Sequence, residues 1–152
     1  MSILEEKQLS VAAIKDGTVI DHLTTRSATR LAEVMRLHRY KKTVTLGLNL
    51  PSRSMGMKDL IKIEGFELSQ READQIALFS PQATIIIIRD FKVVKKQKVK
   101  MPTEVKNILH CANPKCITNF EPVRTHFYVE RFGQSVELTC RFCEKRCLHD
   151  TV

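Results

Sequence analysis

The sequence predicts an α+β protein in two parts, a larger sheet-and-helix region followed by a small all-β unit held by a metal. Three observations predict it. All five cysteines lie beyond residue 110, and two pairs have the short spacings of metal-binding turns. Upstream of them, apolar residues alternate between period two and helical spacing, in the order strand, helix, strand, strand, helix, strand. Between the two regimes runs a basic stretch, Lys95 to Lys100, closed by Met101 and Pro102. We place the boundary there, giving regions 1–102 and 103–152.

The first region resolves into elements. Leu9, Val11 and Ala13 alternate as a strand would, Gly17 marks a turn, and Thr18 to His22 continues extended. Ser27 is placed to cap a helix carrying Ala28, Leu31, Ala32 and Met35 on one stripe. Val44, Leu46, Leu48 and Leu50 alternate up to Pro51, which ends that strand. A loop with Gly56 leads to a strand through Leu60, Ile61 and Ile63 that stops at Gly65. Ser69-Gln70-Arg71-Glu72 is a capping box. The helix it opens bears Ala73, Ile76, Ala77 and Phe79 and halts before Pro81. Ile85 to Ile88 reads as a strand buried on both faces, and Phe91, Val93 and Val94 begin another. This order is the split β-α-β arrangement of a ferredoxin-like domain, with two helices on one face of an antiparallel sheet.

In the second region, Thr125 to Arg131 and Ser135 to Cys140 read as two strands joined by a turn at Phe132-Gly133-Gln134. Cys111 and Cys116 form a Cys-x4-Cys pair, and Cys140 and Cys143 a Cys-x2-Cys pair 23 residues further on. Each pair brings two thiolates of one turn to the same ion, and the long spacer lets the second turn complete a tetrahedron. The expected cofactor is one structural zinc in a rubredoxin-like zinc ribbon. Four thiolates leave no open coordination position, which argues against metal catalysis there. Cys147, His110, His126 and His149 are further candidate donors, although Cys-x2-Cys is the usual knuckle. Lys115, Arg141, Lys145 and Arg146 flank the ligands and are placed to offset the charge of a tetrathiolate zinc. A region of about fifty residues builds a small core, so zinc is expected to supply much of its folding free energy.

Composition narrows the function classes. The chain has 152 residues, 43% hydrophobic and 28% charged, as soluble domains do. It has no apolar run of about 18 residues that would cross a membrane. The first ten residues include Glu5, Glu6 and Lys7 and lack an apolar signal segment, so the expected compartment is the cytoplasm. A net charge of +8 suits a nucleic acid, an acidic partner or a phosphorylated ligand. The basic residues are spread along the chain and aromatics are only 6% with no tryptophan, which disfavours a nucleic-acid stacking platform. Neither a Ser/His/Asp or Cys/His set with catalytic spacing nor a Gly-rich phosphate loop is visible.

Several segments together resemble the regulatory chains of aspartate carbamoyltransferase. They are Gly17-Thr18-Val19-Ile20-Asp21-His22, Gly47-Leu48-Asn49-Leu50-Pro51-Ser52, Lys58-Asp59-Leu60-Ile61-Lys62-Ile63-Glu64, Ser80-Pro81-Gln82-Ala83-Thr84, Glu121-Pro122-Val123 and Cys143-Glu144-Lys145, with the cysteine spacing. The likeness spans about residues 9 to 149. It implies a protein without catalytic activity of its own, whose dimers bridge catalytic trimers in a dodecamer of six catalytic and six regulatory chains. It implies allosteric control of pyrimidine biosynthesis by the nucleotides CTP and ATP, with UTP assisting CTP, and a zinc domain that contacts the catalytic chain. By that resemblance Asp21 accepts from the ribose, Lys62 lies near the sugar, and Lys96 meets the phosphates with His22 close by. Ala13, Ile14, Ile88, Phe91 and Val93 line the base pocket, and Lys58 and the Asn49 to Met55 loop lie near the neighbouring subunit's nucleotide or second-nucleotide region. Ile86 and Phe91 depart from the familiar asparagine and tyrosine. Taken by themselves, a lysine on a strand is ordinarily a solvated residue, and a lysine run an edge that discourages strand pairing.

Overall fold

The computed structural model describes residues 13–133 and 135–148. By compactness these divide into two units, one of residues up to 68 with 82–98, the other of residues 69–81 with those from 99 onward. Each is described by itself.

The first unit is a five-stranded antiparallel sheet. Its strands are β1 (Gly17–Leu23), β2 (Val44–Ser52), β3 (Gly56–Glu64), β4 (Thr84–Arg89) and β5 (Lys92–Lys98), in spatial order β2-β3-β1-β4-β5. The first four strands have the ferredoxin-like order, and β5 extends the sheet beside β4. Helix α1 (Ser27–Val34) follows β1. The core forms on one face of the sheet. Ile20, Ile61, Ile63 and Ile85 alternate inward along their strands, and Leu23, Ala28 and Leu31 are fully buried with them. Asp59 is also fully buried. Its carboxylate accepts from the backbone N–H of Ala28 (3.3 Å), in the first turn of α1, and of Asn49 (3.1 Å). It therefore serves donors that the helix start and the irregular β2 register leave without strand partners.

Several expectations need adjusting. The strand expected at Leu9 to Ala13 lies mostly outside the described residues, and Ala13 itself is irregular. Ser27 is the first residue of α1, preceded by Arg26 in a left-handed conformation without a side-chain cap. Pro51 does not end β2, because an edge strand tolerates a missing N–H. The lysine-rich stretch to Lys98 is the edge strand β5, exposed throughout, in keeping with a solvated edge. Ile86, Ile87 and Ile88 are only half-buried, Ile86 and Ile88 because they lie on the open face of the sheet.

The second unit has a four-stranded antiparallel sheet in spatial order β6-β7-β8-β9: β6 (Glu104–Lys106), β7 (His126–Phe132), β8 (Ser135–Cys140) and β9 (Arg146–Leu148). The central hairpin agrees with the sequence reading, while the three-residue flanking strands were too short to give a pattern. Helix α2 (Gln70–Phe79) groups with this unit, and Leu78 joins Val105, Phe127, Val129, Val136 and Leu138 in its core. The serine cap forms as expected: the Ser69 hydroxyl oxygen accepts from the Glu72 N–H at 3.3 Å, and the Glu72 carboxylate reaches back to the hydroxyl, which donates to it at 2.9 Å. Among the described residues, no helix is long and apolar enough to cross a membrane.

Candidate metal centre and ligand face

The four cysteines of the two short-spaced pairs converge. The sulfurs of Cys111, Cys116, Cys140 and Cys143 all lie within 4.8 Å of one another. Two of the separations are Cys111–Cys143 at 3.7 Å and Cys116–Cys140 at 3.8 Å. A tetrahedron of sulfurs about 2.3 Å from a central zinc has edges of about 3.8 Å. The cluster therefore suits zinc as a closed structural site, with two edges already at the tetrahedral length.

The supporting shell also suits an ion. The second knuckle turns at Glu144, held left-handed (φ 62°), with Cys140 N–H donating to Lys145 O at 3.1 Å and Glu144 N–H to Cys140 O at 2.8 Å. In the first, Cys116 N–H donates to Asn113 O (3.0 Å), and the Asn119 amide donates to the carbonyls of Cys111 (3.2 Å) and Asn113 (2.8 Å). The Thr118 hydroxyl lies 3.1 Å from the Cys116 sulfur. Burial pushes the Cys111 thiol up to about 12. Burial also works against ionising Cys143, but hydrogen bonds from the Lys145 backbone and the Asn113 side chain bring it down to about 7. Four thiolates this close repel, so without a cation they do not ionise together. A divalent ion reverses that balance and displaces their protons.

Cys147 does not join the cluster. It packs against the unit's core, its sulfur 3.9 Å from the Leu138 carbonyl, and burial raises its thiol. His126 belongs to a different contact, 2.7 Å from the Glu104 carboxylate. His149 lies outside the described residues. Of the flanking cations, Arg146 pairs with Glu137 at 3.6 Å and Arg141 approaches His126 Nδ1 at 3.4 Å.

The first unit offers a different kind of site. Opposite the core, the register aligns Lys62, Val19, Ile86 and Lys96 in one row across β3, β1, β4 and β5. Strand spacing puts the two lysine backbones roughly 14 Å apart. The next row along holds Asp21, Thr84 and Lys98, and the row on the other side holds Gly17, Ile88 and Val93. Gly17 is required here: with φ at 146°, an added Cβ would stand 2.2 Å from the Ile63 carbonyl oxygen.

Asp21 is bound by Lys58 Nζ at 2.8 Å and by the His22 backbone N–H at 2.6 Å. Burial raises its carboxyl, but these contacts outweigh burial and hold it below the usual value. Desolvation lowers Lys62, against the opposing pull of Asp21. His22 adopts a left-handed backbone (φ 56°), and its buried Nδ1 has no hydrogen-bond partner among the described residues. At the far end, Asp90 and Phe91 form a two-residue turn with both φ positive, at 50° and 63°. Phe91 N–H donates to Lys15 O (2.9 Å) and Asp90 N–H to the Asp16 carboxylate (3.0 Å), which ties the segment after Ala13 and Ile14 to this turn. Phe91 and Val93 are exposed. The 2.8 Å bridge from Lys58 to Asp21 depends on a bulge in β1, and spacing along the chain gives no signal for it.

A closed tetrathiolate knuckle pair in one unit and a sheet with one charged, open face in the other define a two-part binding protein with a structural metal centre. Comparison with known proteins narrows the class. A family model described as "Aspartate carbamoyltransferase regulatory chain, allosteric domain" matches residues 9–100, and one described as "Aspartate carbamoyltransferase regulatory chain, metal binding domain" matches residues 103–152. The chain is 45% identical over 141 residues to the aspartate carbamoyltransferase regulatory chain of Tolumonas auensis, covering 93% of this chain and 92% of that one. It is 41% identical over 149 residues to that of Neisseria gonorrhoeae, covering 98% of each, and 42% identical over 147 residues to that of Shigella flexneri, covering 97% and 96%. The chain belongs to the family of aspartate carbamoyltransferase regulatory chains. It is a non-catalytic subunit with an allosteric and a metal-binding domain, and its four clustered cysteines form a structural zinc site.

Proposed function

We propose that the chain binds CTP and ATP, with UTP assisting CTP, on the open face of its first sheet, and so controls a catalytic chain in pyrimidine biosynthesis. One observation carries this reading. The register row from Lys62 to Lys96, with Asp21 in the next row and Ile88 and Val93 in the row before, gathers five of the nine expected residues on a single face. Lys96 meets the phosphates, with His22 close to them. Asp21 accepts from the ribose, and Lys62 sits near the sugar. Ala13, Ile14, Ile88, Phe91 and Val93 surround the base. The effector does no chemistry; it biases a quaternary equilibrium through its differential affinity, typically by about 1–3 kcal/mol.

Residues 1–102 act as the effector domain and residues 103–152 as the docking domain. Ile117, Phe120 and Val123, just beyond Cys116, are exposed apolar residues that support contact with a catalytic chain. Leu46 and Leu48, exposed on edge strand β2, support pairing of two regulatory chains. Dimers of this kind would bridge catalytic trimers in an assembly of six catalytic and six regulatory chains in the cytoplasm.

Calorimetry of CTP with the full chain tests the effector role. Binding that weakens about tenfold or more in Lys96→Ala, the loss of one charge-assisted contact, supports it. No binding at millimolar nucleotide defeats it. Affinity should fall as pH rises through the lowered Lys62 value, because the ammonium that helps hold the nucleotide is then lost. Light scattering after co-expression with a catalytic chain tests docking, and Phe120→Asp should release the catalytic partner.

A further inference from the structure

A cleft of about 370 Å³ opens in the second unit between the first turn of α2, the end of β6 and the start of β7. None of the four zinc-site cysteines lines it. Its walls carry Arg71 from α2, Lys106 from β6, Arg124 from the loop before β7, and Phe142 from the second knuckle. Three cations thus meet in one concavity, and the lining includes no carboxylate.

The geometry holds this arrangement in place. The Arg71 guanidinium donates to the Asn107 carbonyl. Asn107 is itself fixed, with φ at 54° and its N–H on Thr125 O at 2.8 Å. His126 forms part of the wall and is buried. Its Nδ1 faces the Arg141 guanidinium at 3.4 Å, a group that only donates. Its Nε2 lies 2.7 Å from the Glu104 carboxylate. Glu104 does not line the cleft; it is engaged by His126, and Lys106 and Arg141 act on it electrostatically. Among the described residues, the side chains of Lys106 and Arg124 form no ion pair with a carboxylate.

We propose that this cleft is a second anion site of the chain, separate from the sheet face, and that it takes the phosphate group of a small phosphate monoester. Three converging cations repel one another unless an anion lies between them. A single carboxylate carries one negative charge, whereas a phosphate monoester carries close to two near neutral pH and has three acceptor oxygens. Guanidinium forks match those oxygens. The volume is that of a small-ligand pocket. Phe142, partly exposed, supplies one apolar wall for the organic group of the ester.

The test is an NMR titration of the zinc-loaded full chain with inorganic phosphate, following backbone amides. The expected result is saturable shifts at Asn107, Thr125 and Phe142. Sodium chloride at matched ionic strength should not reproduce them, and acetate should produce them more weakly. The double variant Lys106→Ala/Arg124→Ala should weaken phosphate binding by about tenfold or more, as the loss of one charge-assisted hydrogen bond already would. Both side chains are exposed, and an otherwise unchanged spectrum would show that the variant folds. Linear shifts without saturation, equal shifts with chloride or acetate, or an indifferent double variant would each overturn the proposal. Shifts confined to the strands carrying Lys62 and Lys96 would overturn it as well and leave the sheet-face reading standing.

Discussion

The two units of this chain solve the same problem with different means. The first has a wide sheet whose inward residues include Ile20, Ile61, Ile63 and Ile85, and burial of apolar area holds it together. The second has a narrow sheet flanked by three-residue strands, and four of the buried or half-buried side chains in and around its core are the zinc-site cysteines. One unit is held by hydrophobic burial and keeps a face open for a ligand. The other is held by coordination and spends its buried thiols on a closed site.

The largest expected effect separates the two most sharply. Removing zinc with a chelator should cost the second unit on the order of 10 kcal/mol and abolish amide protection in β6 to β9, while β1 to β5 stay protected. Hydrogen exchange measures this directly. Because α2 groups with the second unit, its amides should lose protection together with β6 to β9; protection of α2 that persists with β1 to β5 would redraw the division. Acid should act in the same direction. As pH falls through the thiol range, including Cys143 near 7 in the metal-free site, protons compete with zinc and its affinity declines. Zinc release followed with a chromogenic chelator checks the sign.

A cavity in the first unit should have the opposite selectivity. Ile61→Ala is expected to cost about 2–5 kcal/mol in denaturant unfolding of the sheet while zinc content stays at one ion per chain. Asp59→Ala comes next. It leaves the Ala28 and Asn49 N–H groups without their acceptor, at about 1–3 kcal/mol for each group left unsatisfied. Smaller still, Ser69→Ala removes the α2 cap for about 1 kcal/mol and should loosen the second unit only. Finally, Lys58→Met removes a partner that keeps the Asp21 carboxyl low. That partner's contribution is present above the ordinary carboxylate value and is lost as pH falls through the folded one. The variant's stability should therefore depend less on pH in the acid range, and an unchanged acid profile would remove Lys58 from the account.

The metal centre was legible in the sequence because each knuckle is local. Two cysteines a few residues apart leave few geometries open to a turn, and Cys111, Cys116, Cys140 and Cys143 needed only a hairpin to meet. The strand and helix order was legible for the same reason, since alternation and the Ser69 capping box act within a few residues. The resemblance named candidate effector residues, but the alignment of several of them is a matter of register. Lys62 and Lys96 are 34 positions apart and share a row only because β1 and β4 lie between their strands. Tertiary structure alone also gave α2 its place in the compact second unit, buried Asp59 between two backbone donors, left Cys147 out of the zinc cluster, and brought Arg71, Lys106 and Arg124 around one cleft. Those outcomes turn on which distant segments pack together, and a pattern along one strand or helix does not encode its neighbour.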